Sequence, residues 1–158
     1  SAMTLMDQAA EELRNISHNL MPATLSRLGL VAALRGLFDK ISEYSDLTIN
    51  FNSHGFEKRI EEPAEISIYP IVLELINNVV KHAQATEATV QLIKYPTYIN
   101  ISVEDDGKGF DVEKAKSSEN GIGMRNLISR IEYLNGTLNI DSAEGKGTTI
   151  MIDVPIGK

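Results

Sequence analysis

Cysteine is missing from the 158 residues, and positive charge is scarce. Without cysteine the chain has no disulfide, no thiol nucleophile and no Cys-ligated zinc. No apolar run approaches the length of a membrane span. Lys and Arg number 15 against 22 Asp and Glu, a formal net charge of -7. Because nucleic acids and anionic membranes attract basic surfaces, we expect no nucleic-acid partner and no direct membrane contact.

The composition is that of one globular domain, with 42% hydrophobic and 23% charged residues. The first three residues, SAM, are interpreted as a cloning remnant. Apolar residues spaced three and four apart predict four helices. These span residues 4–20, about 29–44, about 65–83 and 123–135.

Proline and glycine are expected to set the helix boundaries. Pro22 ends the first helix and Gly136 the last, and Pro70 kinks the third helix or marks its true start. Alternating apolar residues predict strands at 47–55, 87–95 and 98–106, and a hairpin over 137–156. Adjacent strand pairs favour an α/β (α+β) two-layer sandwich with a mixed, largely antiparallel sheet. The segment 107–123 has almost no apolar periodicity and is predicted to be a long loop.

Polar residues recur on the third predicted helix, in LELINNVVKHA. Glu74, Asn78 and His82 are four apart, so they share one face, with Lys81 beside them. An amide oxygen suits Mg²⁺, and a carboxylate one turn away can take a proton. The alternative is the solvated face of a surface helix.

Two glycine-rich stretches follow. In VEDDGKGFD, Gly107 and Gly109 allow a sharp turn or a close approach to a ligand, and Asp105 before them can accept a hydrogen bond from an exocyclic amine. The alternative is an ordinary Asp-Gly turn, and the spacing does not fit an EF-hand. In NGIGM, Gly121 and Gly123 precede a helix, whose first amides can bind phosphate. Taken alone, EGKGTTI is a hairpin turn followed by strand threonines.

In this order the four stretches resemble the histidine-kinase branch of the GHKL ATPase superfamily, which has the Bergerat ATP-binding fold. ELINNVVKHA looks like the N box, and DDGKGF, NGIGM and GKGTT look like the three glycine boxes. The stretch NVVKHAQAT looks most like sensor kinases of the nitrate-sensor and DesK-like class. The resemblance covers residues 29–156.

The resemblance implies ATP and Mg²⁺ as cofactors. Asn78 would bind the metal, and Glu74 would assist deprotonation of the acceptor. Asp105 would bind the adenine amine, and a mobile lid would span 111–120. The ATP-binding residues would be Asn78, Lys81, His82, Asp105, Gly107, Gly109, Gly121, Gly123, Met124 and Thr148.

The resemblance also implies a two-domain arrangement. Residues 4–26 would be the second helix of a dimerisation hairpin with its linker, and 27–158 the catalytic domain. His18 would then be a polar helix-end residue, with the phosphoacceptor histidine upstream. The partners would be a response regulator and, in the whole protein, a second copy of the chain. The location would be the cytoplasmic part of a membrane-anchored sensor. Two alternatives stay open, an anti-sigma-type serine kinase and a non-catalytic interaction module.

Overall fold

The computed structural model describes residues 22–117 and 122–157. The helix predicted at 4–20, His18 and Gly121 lie outside these residues. Within them there are five α-helices and five strands, in the order two helices, one strand, one helix, two strands, two helices and two strands. One π-helical turn, Val79–Ala83, continues the third helix. The helices are α1 (Ala23–Leu28), α2 (Leu30–Tyr44), α3 (Glu62–Asn78), α4 (Val112–Ser117) and α5 (Ile122–Tyr133). The strands are β1 (Thr48–His54), β2 (Glu87–Lys94), β3 (Tyr98–Asp105), β4 (Thr137–Ser142) and β5 (Thr148–Pro155).

The strands form one mixed sheet in the order β1-β2-β3-β5-β4. β1 runs parallel to β2, and the other three pairings are antiparallel. The predicted two-layer fold with a largely antiparallel sheet is therefore confirmed. β3 lies at the centre, so both of its edges are paired, and its last residue lies inside the fold.

Alternation along the central strands buries one face of the sheet under the helices. On β3 the buried side chains are Ile99, Ile101 and Val103. α3 presents the opposing apolar face, with Val72, Leu75 and Ile76 buried. Because burial of such side chains contributes about 1.5–3 kcal/mol each, this contact fixes the position of α3 on the sheet.

Helix α3 begins earlier than expected and contains Pro70 in its interior. Pro63 lies in the first turn, where its missing N–H costs no hydrogen bond. Of the two roles expected for Pro70, a kink or the start of the helix, the second is therefore excluded. The helix then widens into the π-helical turn, which ends at Gln84 in a left-handed conformation (φ 52°). π-Turns often occur at functional sites, because they re-aim side chains within a helix.

Three further details differ from the sequence predictions. The predicted loop contains α4, a short helix with no buried residue. Left-handed Asn135 (φ 58°), not Gly136, terminates α5, although the Gly136 N–H still bonds to Ile131 O at 2.9 Å. Helix α1 was not predicted. Its Leu25 is 2% exposed within the core, although it falls in the segment 4–26 that was predicted to be a dimerisation helix with its linker. In the part of the chain that the structure describes, no helix has the length and apolarity needed to cross a membrane.

Candidate active site

A cavity of about 400 Å³ opens between α3, the ends of β3 and β5, and α5. Its volume is within the range of small-molecule sites. It brings together the predicted site residues that the structure describes, except Gly107, which lies behind its wall. The predicted residues that line it are Glu74, Asn78, Lys81, His82, Asp105, Gly109, Gly123, Met124 and Thr148.

The deep end of the cavity is built by two neighbouring strands. Asp105 and Thr148 are directly paired between β3 and β5, and both continue the buried rows of their strands. The preceding pair on this face, Val103 and Ile150, also lines the cavity. A carboxylate and a hydroxyl therefore lie at the edge of an apolar surface, an arrangement suited to a flat ring with a polar rim.

Asp105 is held in place by its own loop. It is 8% exposed, and its Oδ1 accepts a hydrogen bond from the Gly107 N–H at 2.9 Å. Burial raises the pKa of Asp105 above its ordinary value, and the charges of Asp106 and Glu104 act in the same direction, against the Gly107 hydrogen bond. A buried carboxylate with a raised pKa in a cavity is typical of a binding site, because an ion is costly there without a ligand.

The neighbouring Asp106 has a different task. Its carboxylate accepts hydrogen bonds from the Thr86 N–H (2.8 Å), the Thr86 hydroxyl (2.6 Å) and the Glu87 N–H (3.0 Å). The Thr86 hydroxyl bond is the main cause of the lowered pKa of Asp106. Asp106 thus ties the start of β2 to the end of β3 and points away from the cavity, which leaves Asp105 as the ligand-facing carboxylate.

The loop after β3 packs against other backbone segments at its glycines. A β-carbon at Gly107 would collide with the carbonyl oxygen of Ala83, and one at Gly109 would collide with that of Ala143. Gly147 approaches the Asp105 carbonyl in the same way. The Lys108 N–H also bonds to Ala83 O at 2.7 Å, which links this loop to the end of the π-helical turn. These glycines are therefore required by close packing of the main chain.

On the α3 side, Glu74 and Asn78 are half-buried and face the start of α5. A β-carbon at Gly123 would lie 2.7 Å from Glu74 Oε1 and 3.8 Å from Asn78 Oδ1. Burial raises the pKa of Glu74, although Lys81 and Arg130 partly oppose this shift. Glu74 is thus a stronger base than a solvated glutamate, and it lies beside a neutral amide oxygen.

Three basic side chains line the mouth of the cavity. Lys81 and His82 come from the π-helical turn, and Lys108 comes from the loop after β3. Burial is the main reason that the pKa of His82 is lowered, and both lysines lower it further. Burial and the two lysines therefore favour the neutral form of the His82 imidazole.

Sequence reasoning missed several lining residues. Lys108 and Phe110 flank the predicted Gly109, and Asn77 precedes the predicted Asn78. The Asn77 Oδ1 is buried and, within the described ranges, accepts no hydrogen bond. These residues are sequence neighbours of predicted site residues, and that was the available signal. Spacing along the sequence does not show which neighbour also faces the cavity.

Ser142, at the end of β4, joins the loop to the hairpin. The Phe110 N–H donates to Ser142 Oγ at 3.0 Å, and the hydroxyls of Ser142 and Thr148 are 2.7 Å apart. Thr148 is thereby fixed beside Asp105, so the deep end of the cavity is preorganised.

Residues 64–158 match the family described as "Histidine kinase-, DNA gyrase B-, and HSP90-like ATPase". The chain is similar to sensor histidine kinase ComP of Bacillus subtilis, with 33% identity over 151 residues, which is 96% of this chain and 20% of ComP. It is also similar to the signal transduction histidine-protein kinase/phosphatase DegS of the same organism, with 34% identity over 139 residues, 85% of this chain and 36% of DegS.

The chain thus spans only 20% to 36% of the length of these two relatives. Among solved structures it is similar to the histidine kinase domain of the blue-light activated histidine kinase from Erythrobacter litoralis EL346. The TM-score is 0.62 at 21% identity, over 98% of this chain and 75% of that one. At this identity the likeness concerns the fold.

Proposed function

The chain belongs to the histidine kinase-, DNA gyrase B-, and HSP90-like ATPases, and on that premise we propose that it is the ATP-binding catalytic domain of a two-component sensor histidine kinase. The observation that carries the proposal is the cavity itself. It combines a buried carboxylate at an apolar end with an amide, a carboxylate and lysines at the other. A purine suits the apolar end with its carboxylate, and a metal-bound triphosphate suits the end with the amide and the lysines.

The adenine ring would occupy the deep end. Oδ1 of Asp105 accepts the Gly107 N–H, and the other carboxylate oxygen is available to accept a hydrogen bond from the exocyclic amine of adenine. Val103 and Ile150 would contact the face of the ring. Thr148, held by Ser142, would support the same end.

The donor set at the other end fits Mg²⁺ carried by a nucleotide. In the described ranges no group of three His, Cys, Asp or Glu residues could hold a metal. A protein site for Mg²⁺ would therefore have to be completed by phosphate oxygens and water, as is usual for this ion. Asn78 would supply the amide oxygen, and the metal would neutralise charge on the phosphates.

Glu74 would take up the proton released by the acceptor. Phosphoryl transfer needs positioning and charge stabilisation more than covalent help, and a nearby base adds to this. Burial raises the pKa of Glu74, which suits it to that role. Lys81 and Lys108 would attract the phosphates, while His82 and the start of α5 at Gly123 and Met124 would enclose them.

The acceptor would be a histidine outside the described residues, and the phosphoryl group would pass to a response regulator. The whole protein would act as a homodimer. This chain would be the cytoplasmic part of a membrane-anchored sensor of the nitrate-sensor and DesK-like class. The relatives named above are sensor kinases, which supports this interpretation over a serine kinase or a non-catalytic module.

Calorimetric titration of ATP with and without Mg²⁺ tests the nucleotide site. Asn78→Ala should remove the gain in affinity that Mg²⁺ gives, with the far-UV circular dichroism unchanged. Asn77→Ala is the matched comparison, since its amide is next along the same helix and also lines the cavity. If the loss occurs in Asn77→Ala instead, the metal is assigned to the wrong amide. If wild-type protein does not bind ATP at all, the proposed function is wrong.

A further inference from the structure

Glu65, in the first turn of α3, is a buried carboxylate far from the active site. Glu65 is 1% exposed, and its carboxylate accepts hydrogen bonds from the Leu30 N–H (2.9 Å) and from Arg59 Nη2 (2.9 Å). The Leu30 amide is the first of α2 and follows Gly29 in a left-handed conformation (φ 96°). Glu65 therefore binds the amino end of α2, where a negative charge is favourable.

Arg59 connects the same carboxylate to α1. Its Nη2 also lies 2.8 Å from the carbonyl oxygens of Leu25 and Ser26, and its Nη1 lies 3.4 Å from that of Arg27. These carbonyls belong to the last turn of α1, which carries partial negative charge. One guanidinium thus joins the carboxyl end of α1 to the first turn of α3, with the Glu65 carboxylate as the shared point.

A charged pair is not the simplest way to stabilise this contact. Replacing a buried ion pair by apolar residues of similar volume often leaves stability unchanged or raises it. The pair instead gives a fixed geometry, because one guanidinium donates at the same time to the Glu65 carboxylate and to carbonyl oxygens of α1. Such a contact specifies the relative orientation of two helices more than it adds stability.

We propose that Arg59 and Glu65 form a clamp that fixes the Ala23–Leu28 segment to the catalytic domain, so that α1 and α3 move as one body while the clamp is closed. The domain would then begin at Ala23, not at residue 27. On the proposed function, α1 would then move together with the catalytic domain when the domain approaches its acceptor. Glu65 and Glu74 lie on the same helix about 13 Å apart, so the clamped segment is joined rigidly to the helix that carries the phosphate-side residues.

Local amide hydrogen exchange of the chain tests the clamp. In Arg59→Ala, amides of residues 23–30 should exchange about tenfold faster or more, the factor expected for loss of one charge-assisted hydrogen bond. Amides in β3 and β5, which exchange by global unfolding, should speed up only by the factor that matches the stability lost in urea unfolding, and their exchange should depend steeply on denaturant. Exchange at 23–30 should depend only weakly on denaturant, because it would occur by local opening. ATP affinity should stay within about twofold of wild type. Glu65→Gln should mainly expose the Leu30 amide. Lys58→Ala and Glu61→Gln are the matched controls, since both residues are exposed neighbours of the pair, and they should change neither region.

Unchanged exchange at 23–30 in Arg59→Ala would overturn the proposal. Exchange at 23–30 with the same rate and the same denaturant dependence as in β3 and β5 would also overturn it, because the segment would then unfold only with the whole domain. If Arg59→Ala does not fold, Arg59→Lys decides the question. Lysine keeps the charge but lacks the planar fork with which Arg59 donates to Glu65 from Nε and Nη2, so the local increase should remain. These readouts do not need nucleotide, so failure of ATP binding would refute the proposed function and leave the clamp standing.

Discussion

Replacing Asp105 with asparagine changes one functional atom group at the deep end of the cavity while conserving its shape. The amide oxygen can still accept the Gly107 N–H, now 2.9 Å from Oδ1. The other position becomes an NH₂ group, which would face the amine of adenine donor to donor. Asp105→Asn therefore removes the proposed hydrogen bond to the base without opening a cavity.

The expected size of the effect follows from the type of bond lost. A hydrogen bond to a charged group contributes about 1.5–3 kcal/mol, which corresponds to about 10- to 150-fold in affinity. Guanine has a carbonyl oxygen where adenine has its amine, so the new NH₂ group could donate to it. We expect ATP affinity to fall by that factor and the preference for ATP over GTP to shrink.

Isothermal titration of both nucleotides measures this, with Asp106→Asn as the matched control. The Asp106 carboxylate binds only Thr86 and Glu87 among the contacts described above, so its variant should lose stability but keep ATP affinity. Equal losses for ATP and GTP in Asp105→Asn would refute the adenine assignment. A larger loss in Asp106→Asn would show that the wrong carboxylate is placed in the site.

The same substitution should stabilise the nucleotide-free domain at neutral pH. Burial raises the pKa of Asp105, so stability associated with its protonated form is fully present below the unfolded value, about 3.9, and is lost as pH rises through the folded value. Asparagine carries no charge at any pH. The Tm of Asp105→Asn should therefore exceed that of wild type at pH 7, and this advantage should disappear near pH 3.

Two other predictions concern the remaining walls of the site. Glu74→Gln should slow phosphoryl transfer to an added histidine-bearing dimerisation domain by about 10²- to 10⁴-fold, with little change in ATP affinity. In wild type the rate of transfer should fall as pH drops through the raised pKa of Glu74. If the Gln variant keeps the wild-type pH profile, Glu74 is not the base. Gly107→Ala should lower the free energy of unfolding in urea by about 1–3 kcal/mol, because its β-carbon would meet the Ala83 carbonyl. Gly36→Ala in helix α2, where no atom lies within 4 Å of the added β-carbon, should be neutral or stabilising. Equal effects of the two substitutions would contradict the packing argument.

The sequence predicted those parts of the fold in which burial is periodic. Helix α2, expected from about residue 29 to 44, spans Leu30–Tyr44, and the alternation of Ile99, Ile101 and Val103 placed β3 correctly. That alternation extends to Asp105 and so also indicates which of the two adjacent carboxylates faces inward. Helix α4 was missed because none of its residues is buried, so its sequence has no periodic apolar stripe.

The features that depend on contacts between distant segments could not be predicted. The π-helical turn has no periodic signature, since Glu74, Asn78 and His82 keep the spacing of an ordinary α-helix. The bonds from Arg59 to Glu65 and to α1 join residues up to 34 positions apart and depend on the folded geometry. For the site, the resemblance of the motifs supplied the residue set, and the register between β3 and β5 brings Asp105 and Thr148 together.

The glycine contacts around Asp105 affect how readily resistance to an inhibitor of this domain could arise. Near Gly107, Gly109 and Gly147 the wall of the site is main chain packed on main chain, and each added β-carbon would meet a carbonyl oxygen. Drug resistance usually needs a side chain that blocks the compound yet spares the natural ligand. A compound bound to Asp105 and this wall would meet few resistance substitutions, because a side chain added at these glycines would also distort the site that must still bind the nucleotide.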